Sequence, residues 1–216
     1  MFDVLKQDYL ASRARGRATA GRMLCRAVSD AGFRAMCFYR LARWCRARGF
    51  RLAAVLAERL MHHLSHCWIS SLAEIGPGFR VAHVCGIVVP PGVIIGANCE
   101  IRQNVTLGGN LDKRGPDGRT NPRIGDGVSL GPGAVVLGPI EVGSGTFIGA
   151  NAVVTQSVPP NSIVAAFRAE VTGERDAEGT PVRDARRVFL SRRELFERID
   201  ALEQRLAEVQ RGTPQR

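Results

Sequence analysis

Four histidines occur in the 216 residues, and only His83 lies beyond residue 66. An imidazole titrates near neutrality, so one that faces solvent can take a proton from a hydroxyl and return it later. The other three, His62, His63 and His66, fall together, with His62 and His66 four residues apart on a predicted helix. That spacing can hold zinc, but no Glu follows His62 and the H-E-x-x-H pattern is missing, so a structural role and no metal site are expected. Six cysteines (Cys25, Cys37, Cys45, Cys67, Cys85 and Cys99) contain no C-x-x-C pair. They read as reduced, mostly buried small hydrophobes.

The element that must position His83 is a repeat. Apolar residues recur every six positions at Ile124, Leu130, Val136, Val142, Ile148 and Val154. Gly follows at +1 in four of these, and a small or β-branched residue stands at +4: Val128, Ala134, Ile140, Thr146, Ala152 and Val158. An earlier block runs Ile75, Val81, Ile87 and resumes in shifted register at Ile95, Ile101, Leu107. This hexapeptide period predicts a parallel β-helix, three hexapeptides to a coil, with lead and +4 residues inward. The +2 and +3 residues lie at corners and point out, and Gly at +1 is expected to permit the corner turn. His83 is the +2 residue after Val81, so it should face outward. Between Leu107 and Ile124 the period breaks in a Gly-, Pro- and Asp-rich segment, expected to project as a loop over 108–123.

The flanks read as helices. Phe33, Met36, Cys37, Leu41 and Trp44, then Leu52, Val55, Leu56, Leu60 and Leu64, recur at helical spacing, with Arg40, Arg43, Arg46, Arg48 and Arg51 in the gaps as a solvated face. Gly49 marks the break between two helices. Near the C-terminus, Leu195, Ile199, Leu202, Leu206 and Val209 form a short heptad seam. The expected fold class is mainly β. A helical head (1–68) precedes a β-helix (69–170), and a linker with an amphipathic or coiled-coil helix (171–216) follows.

Charge is uneven along the chain. Residues 1–66 hold 13 basic and 4 acidic residues, a balance of +9, out of a total of +10; residues 67–170 balance at 0. No nucleic-acid-binding signature accompanies the Arg-rich head, so nucleic acid is not an expected partner. No apolar run reaches membrane-span length and no apolar leader opens the chain, so a cytoplasmic location is expected. Peripheral contact of the basic head with an anionic inner membrane face is the electrostatic expectation.

Several segments together resemble the serine O-acetyltransferase family: Gly32 to Arg40, His83 with Gly86-Ile87-Val88-Val89, Val105-Thr106-Leu107-Gly108-Gly109, Ile140-Glu141-Val142-Gly143, and Val158-Pro159-Pro160-Asn161-Ser162. The resemblance spans about residues 1–170 in the same order, helical head included. It implies a left-handed β-helix, a homotrimer or dimer of trimers, acetyl-CoA as co-substrate and a hydroxyl acceptor. It places the general base on His83 and a second active-site position on Asn121. It puts cofactor contacts at Gly131, Gly149, Ala150 and Arg168, and acceptor contacts at Thr106, Gly108 and Gly109.

The departures from that family bear on the acceptor. Where it has Asp just before the base, this chain has Ala82. Its orienting Asp, 15 residues before the base, is Trp68 here, its second His is Asn121, and its N-terminal Asp falls on Arg17. Carboxylates are what hold the ammonium of an amino acid. A lone histidine resembles the acetyltransferases that modify sugars, so a sugar or polysaccharide precursor is the expected acceptor. The alternatives are L-serine in an altered pocket, or a non-catalytic trimeric scaffold.

Overall fold

Hexapeptides whose second strand residue points inward every sixth position close into a three-faced coil. The computed structural model, which describes residues 1–12, 17–110 and 113–166, has that form. Arg168 and the C-terminal heptad segment lie outside the described residues. The first face stacks β1 (Trp68–Ile69), β4 (Val88–Val89), β7 (Thr106–Gly108), β10 (Val135–Leu137) and β13 (Val153–Val154). The second face stacks β2 (Glu74–Ile75), β5 (Ile94–Ile95), β8 (Arg123–Ile124) and β11 (Glu141–Val142). The third stacks β3 (Arg80–Val81), β6 (Glu100–Ile101), β9 (Ser129–Leu130), β12 (Phe147–Ile148) and β14 (Ile163–Val164). All pairings are parallel and in register, as in Ile75 with Ile95 and Ile95 with Ile124. The lead residues and the +4 residues Val128, Ala134, Thr146 and Ala152 are buried, as their period requires.

Two readings of the repeat change. The earlier block does not shift between Ile87 and Ile95. Val81 pairs with Ile101, and Val89, not Ile87, pairs with Ile69 as the next lead. The two extra residues therefore sit in the third-to-first corner, between Val81 and Val88, where the chain bulges at the exposed His83. The glycines at +1 also serve a different purpose from the one expected. Left-handed backbone occurs at +3, in Gly127, Gly133, Gly145, Asn98, Asn104 and Asn151. At +1 the constraint is coil-on-coil contact: a Cβ on Gly125 would lie 2.6 Å from the Ser144 nitrogen, and one on Gly131 2.8 Å from that of Ala150.

Four helices precede the coil: α1 (Phe2–Ala11), α2 (Ala20–Ser29), α3 (Ala31–Ala47) and α4 (Arg51–Ser65). More described residues lie in these helices than in strands, because each hexapeptide contributes mostly corner; "mainly β" fits the coil rather than the chain. Thr19 caps α2 and Asp30 caps α3, its carboxylate accepting from the Phe33 N–H at 3.0 Å. Gly49, at φ +83°, separates α3 from α4 as expected.

The head closes an open edge. Strand N–H groups of each coil donate to carbonyls of the next, as Trp68 does to Ile87 and Arg80 to Cys99. Strand carbonyls of the first coil therefore point toward the head without a strand partner. Arginines of α3 satisfy them. Arg40 donates to the Ile75 oxygen (2.7 Å) and the Gly76 oxygen (2.6 Å), while Arg43 and the Tyr39 hydroxyl both reach the Ala73 oxygen (2.9 Å). Arg46 donates to the Ser71 hydroxyl. The expected solvated arginine face is thus, at Arg40, Arg43 and Arg46, the docking face, and Arg40 is buried. Buried Asp8 balances Arg40 (2.8 Å) and also accepts from the Phe79 N–H (3.0 Å), tying α1 to the coil.

The opposite inversion occurs on α4. Ala54, Ala57, Met61 and Ser65 pack inward, because small side chains let it approach α3 closely. Leu52, Val55, Leu56, Leu60 and Leu64 are exposed.

Candidate active site

The third-to-first corner repeats down the coil, and four of the expected site residues, His83, Gly131, Gly149 and Ala150, lie along it. The Ala82 N–H donates to the Ile101 oxygen, that of Gly131 to Ile148, and that of Gly149 to Val164. These bonds stack Ala82, Arg102, Gly131, Gly149 and Ala165 in one column. His83 sits in the bulge at its head and is exposed, as its position after Val81 predicts. Gly149 lies three coil steps below Ala82, about 14 Å at the usual strand spacing. Below Arg102 the corner presents Pro132, Ala150 and Ala166 beside the glycines, so that part of its wall is smooth and lacks long side chains. A narrow, flexible chain such as a pantetheine arm can lie against such a wall.

The bulge re-enters the first face at Gly86 and Ile87. The Gly86 N–H donates to the His66 oxygen (3.0 Å), and the Ile87 oxygen accepts from the Trp68 N–H (2.8 Å). Trp68 thus flanks the segment that carries His83, with its indole part-exposed on the outside of the first face. It shares a groove of about 540 Å³ with Val55, Glu58, Arg59 and His62. Ala82, next to His83, offers no charge.

The remaining site residues gather at the other edge of the first face. Thr106 and Gly108 lie on β7, which leads into the projecting loop. The loop returns beside its own start: a Cβ on Gly109 would lie 3.4 Å from the Thr120 oxygen and 3.6 Å from Asn121 Oδ1. The Asn121 amide donates to the Pro91 oxygen at 2.8 Å, in the first-to-second corner. Asn121 and His83 therefore occupy the two corners bounding the same face, and one chain does not bring them together. The loop, expected to project, is held back against the coil. Arg119 bridges Asp117 and Glu141, folding it onto the second face around a groove of about 710 Å³.

Sequence reasoning missed that groove, the first-face column running Trp68–Val88–Thr106–Val135, and the inward turn of the head arginines. Only the column had a signal in the sequence, namely residues one before successive leads. His62 and His63 touch edge to face, with ring centroids 5.8 Å apart, and Arg17 is exposed. Among the described residues no three His, Cys, Asp or Glu side chains gather as a metal site.

Residues 121–156 match the family model described as bacterial transferase hexapeptide (six repeats). The chain is 39% identical over 147 residues to a serine acetyltransferase of Escherichia coli, which covers 68% of this chain and 53% of that protein. It therefore spans about half the length of that relative. It is 33% identical over 182 residues to a serine acetyltransferase of Synechococcus elongatus, covering 81% of this chain and 72% of the relative. Among solved structures, a serine acetyltransferase of Brucella abortus in complex with coenzyme A superposes with a TM-score of 0.66, at 34% identity, over 80% of this chain and 68% of that one. These relatives carry the name serine acetyltransferase rather than that of a sugar-modifying enzyme, so the sugar branch expected from the lone histidine is not what the comparisons return. With the repeat, the helical head and a relative covered over most of its length all in agreement, the chain belongs to the serine acetyltransferase family of hexapeptide-repeat transferases.

Proposed function

We propose that this chain is an acetyl-CoA-dependent O-acetyltransferase with His83 as general base. The observation that carries this is the third-to-first corner, where an exposed imidazole stands above Arg102 and a wall of small residues, Gly131 and Gly149 with Ala150 beside them. His83 takes the proton from an acceptor hydroxyl as that oxygen attacks the thioester carbonyl, and it returns the proton to the departing thiolate. Backbone N–H groups of the corner stabilise the oxyanion formed between those steps. A left-handed coil belongs to the same reading.

L-serine is the first acceptor to test, because the relatives are named for it. A specific observation favours a second reading, a hydroxyl not carried by an amino acid. Trp68 and Ala82 border the base without a carboxylate, and Asn121 stands at the other corner of the face.

The site asks for more than one copy of the chain. His83 and Asn121 sit at opposite corners of one face, so the Asn121 corner of a neighbouring copy completes the site in a homotrimer. The exposed leucines of α4 and the apolar outer residues Val153, Phe147 and Ile163 supply surface for that packing. A cytoplasmic location fits this reading. Among the described residues, exposed Arg17, Arg22, Arg51 and Arg59 are head cations open to peripheral contact with an anionic membrane face.

The test is thioester consumption, followed by absorbance, with L-serine and with non-amino-acid alcohols. His83→Ala should lower turnover by about 10²–10⁴-fold with folding intact. Full activity in that variant would reject the assignment.

A further inference from the structure

Trp68 stands where its indole can bear on acceptor choice. Its backbone pairs with the segment that closes the His83 bulge, and its ring lies on the outer first face, one column with Val88 and Thr106. The groove it lines continues along α4 through Val55, Glu58, Arg59 and His62 and holds about 540 Å³, room for a sugar-sized ring. The one carboxylate there is already engaged. Glu58 Oε1 accepts from the Ser71 N–H at 2.7 Å and faces the Arg46 guanidinium at 3.7 Å. What remains is an aromatic plane, an imidazole and a guanidinium. The Glu58 charge faces the Arg46 guanidinium and Arg59 adds a second cation, so the groove suits a neutral ring better than the ammonium of an amino acid.

We infer that Trp68 is a specificity-determining residue, and that the groove from Trp68 to His62 takes the non-reacting part of a hydroxyl-bearing ring, a pyranose, whose C–H face packs on the indole. An indole offers a large apolar plane at little entropic cost, and the polar rim of His62 and Arg59 suits ring hydroxyls. This rests on the acetyltransferase reading and deepens it, naming the acceptor by its recognition rather than by the chemistry at the thioester.

The chain has two tryptophans, Trp44 and Trp68, so Trp44→Phe makes Trp68 the only indole reporter. That full-length variant is titrated with methyl glycosides of glucose, galactose and mannose and with L-serine. Acetyl transfer to each is measured in parallel for the wild type, His83→Ala, Trp68→Ala and Trp68→Phe. The expected result is a saturable fluorescence change with at least one glycoside and none with L-serine. Trp68→Ala should raise the acceptor KM at least tenfold with little change in the KM for acetyl-CoA, and Trp68→Phe should recover part of the loss. Three results overturn the inference: no fluorescence response and no transfer with any glycoside, a Trp68 response and transfer confined to L-serine, or a Trp68→Ala variant whose assembly mass changes while its acceptor KM does not. Transfer that persists in His83→Ala sinks the functional reading instead, so the two failures are distinguishable. If Trp68→Ala does not fold, Trp68→Phe and the fluorescence titration carry the decision.

Discussion

At the scale of residues, chemistry here is decided by which polar groups are left uncovered. His83 is exposed because two extra residues lift it out of the coil, whereas the thiols show the reverse effect. Burial pushes Cys37 and Cys67 up to about 12 and Cys99 up to about 11 from an ordinary 9.0, since a thiolate is poorly solvated there. Cys25 and Cys85 are exposed. Iodoacetamide at pH 8 should therefore label Cys25 and Cys85 in the native protein and spare those three, a pattern that peptide mass mapping reads directly. The same shifts set an alkaline limit. Above pH 9 the unfolded thiols ionise while the folded ones stay protonated, so this contribution to stability is complete below pH 9 and is lost between pH 9 and about 12. The melting temperature should fall through that window, and the fall should shrink in a Cys37→Ala, Cys67→Ala variant.

At the scale of elements, the junction between α3 and the first coil is the part most sensitive to single changes. A β-helix must end somewhere, and its first coil presents carbonyls with no strand above them. Arg40, Arg43 and Tyr39 answer that need from one face of one helix. Arg40 and Asp8 are both buried, so removing either leaves an unpaired charge in the interior. Arg40→Ala or Asp8→Ala should cost about 3–5 kcal/mol in urea unfolding. A loss below 1 kcal/mol would show that water replaces the missing partner at no cost. The helix pattern was legible in the sequence, but the direction of its arginines was not. Heptad-like spacing locates a distinct stripe, and guanidinium groups that meet a row of carbonyls behave as an interior stripe does.

At the scale of the whole molecule, the exposed leucine row on α4 and the apolar outer residues of the coil call for assembly. Leu52, Leu56, Leu60 and Leu64 follow one another at four-residue intervals, a ridge that fits the groove of another helix. Light scattering should give about three times the 23.4 kDa chain mass, or six times for paired trimers. The double change Leu56→Glu, Leu60→Glu should lower it. An unchanged mass would leave the coil faces as the assembly surface and the ridge without a role in it.

By itself the sequence determined the coil. A six-residue period allows one arrangement of inward columns, and the lead and +4 residues and the non-repeating loop follow from it, while the helical spacing of the head gives the break at Gly49. Only the tertiary structure decided where the register slips, because an insertion of two residues reads equally well anywhere between two leads. It also decided why glycine stands at +1, since that demand comes from the next coil and not from the local backbone. It turned the head arginines inward and the α4 leucines outward, because the first coil's open carbonyls and the close approach of α4 to α3 are long-range facts. And it set His83 and Asn121 at separate corners of one face, a separation fixed by the turn of the chain around the coil that no spacing along the sequence records.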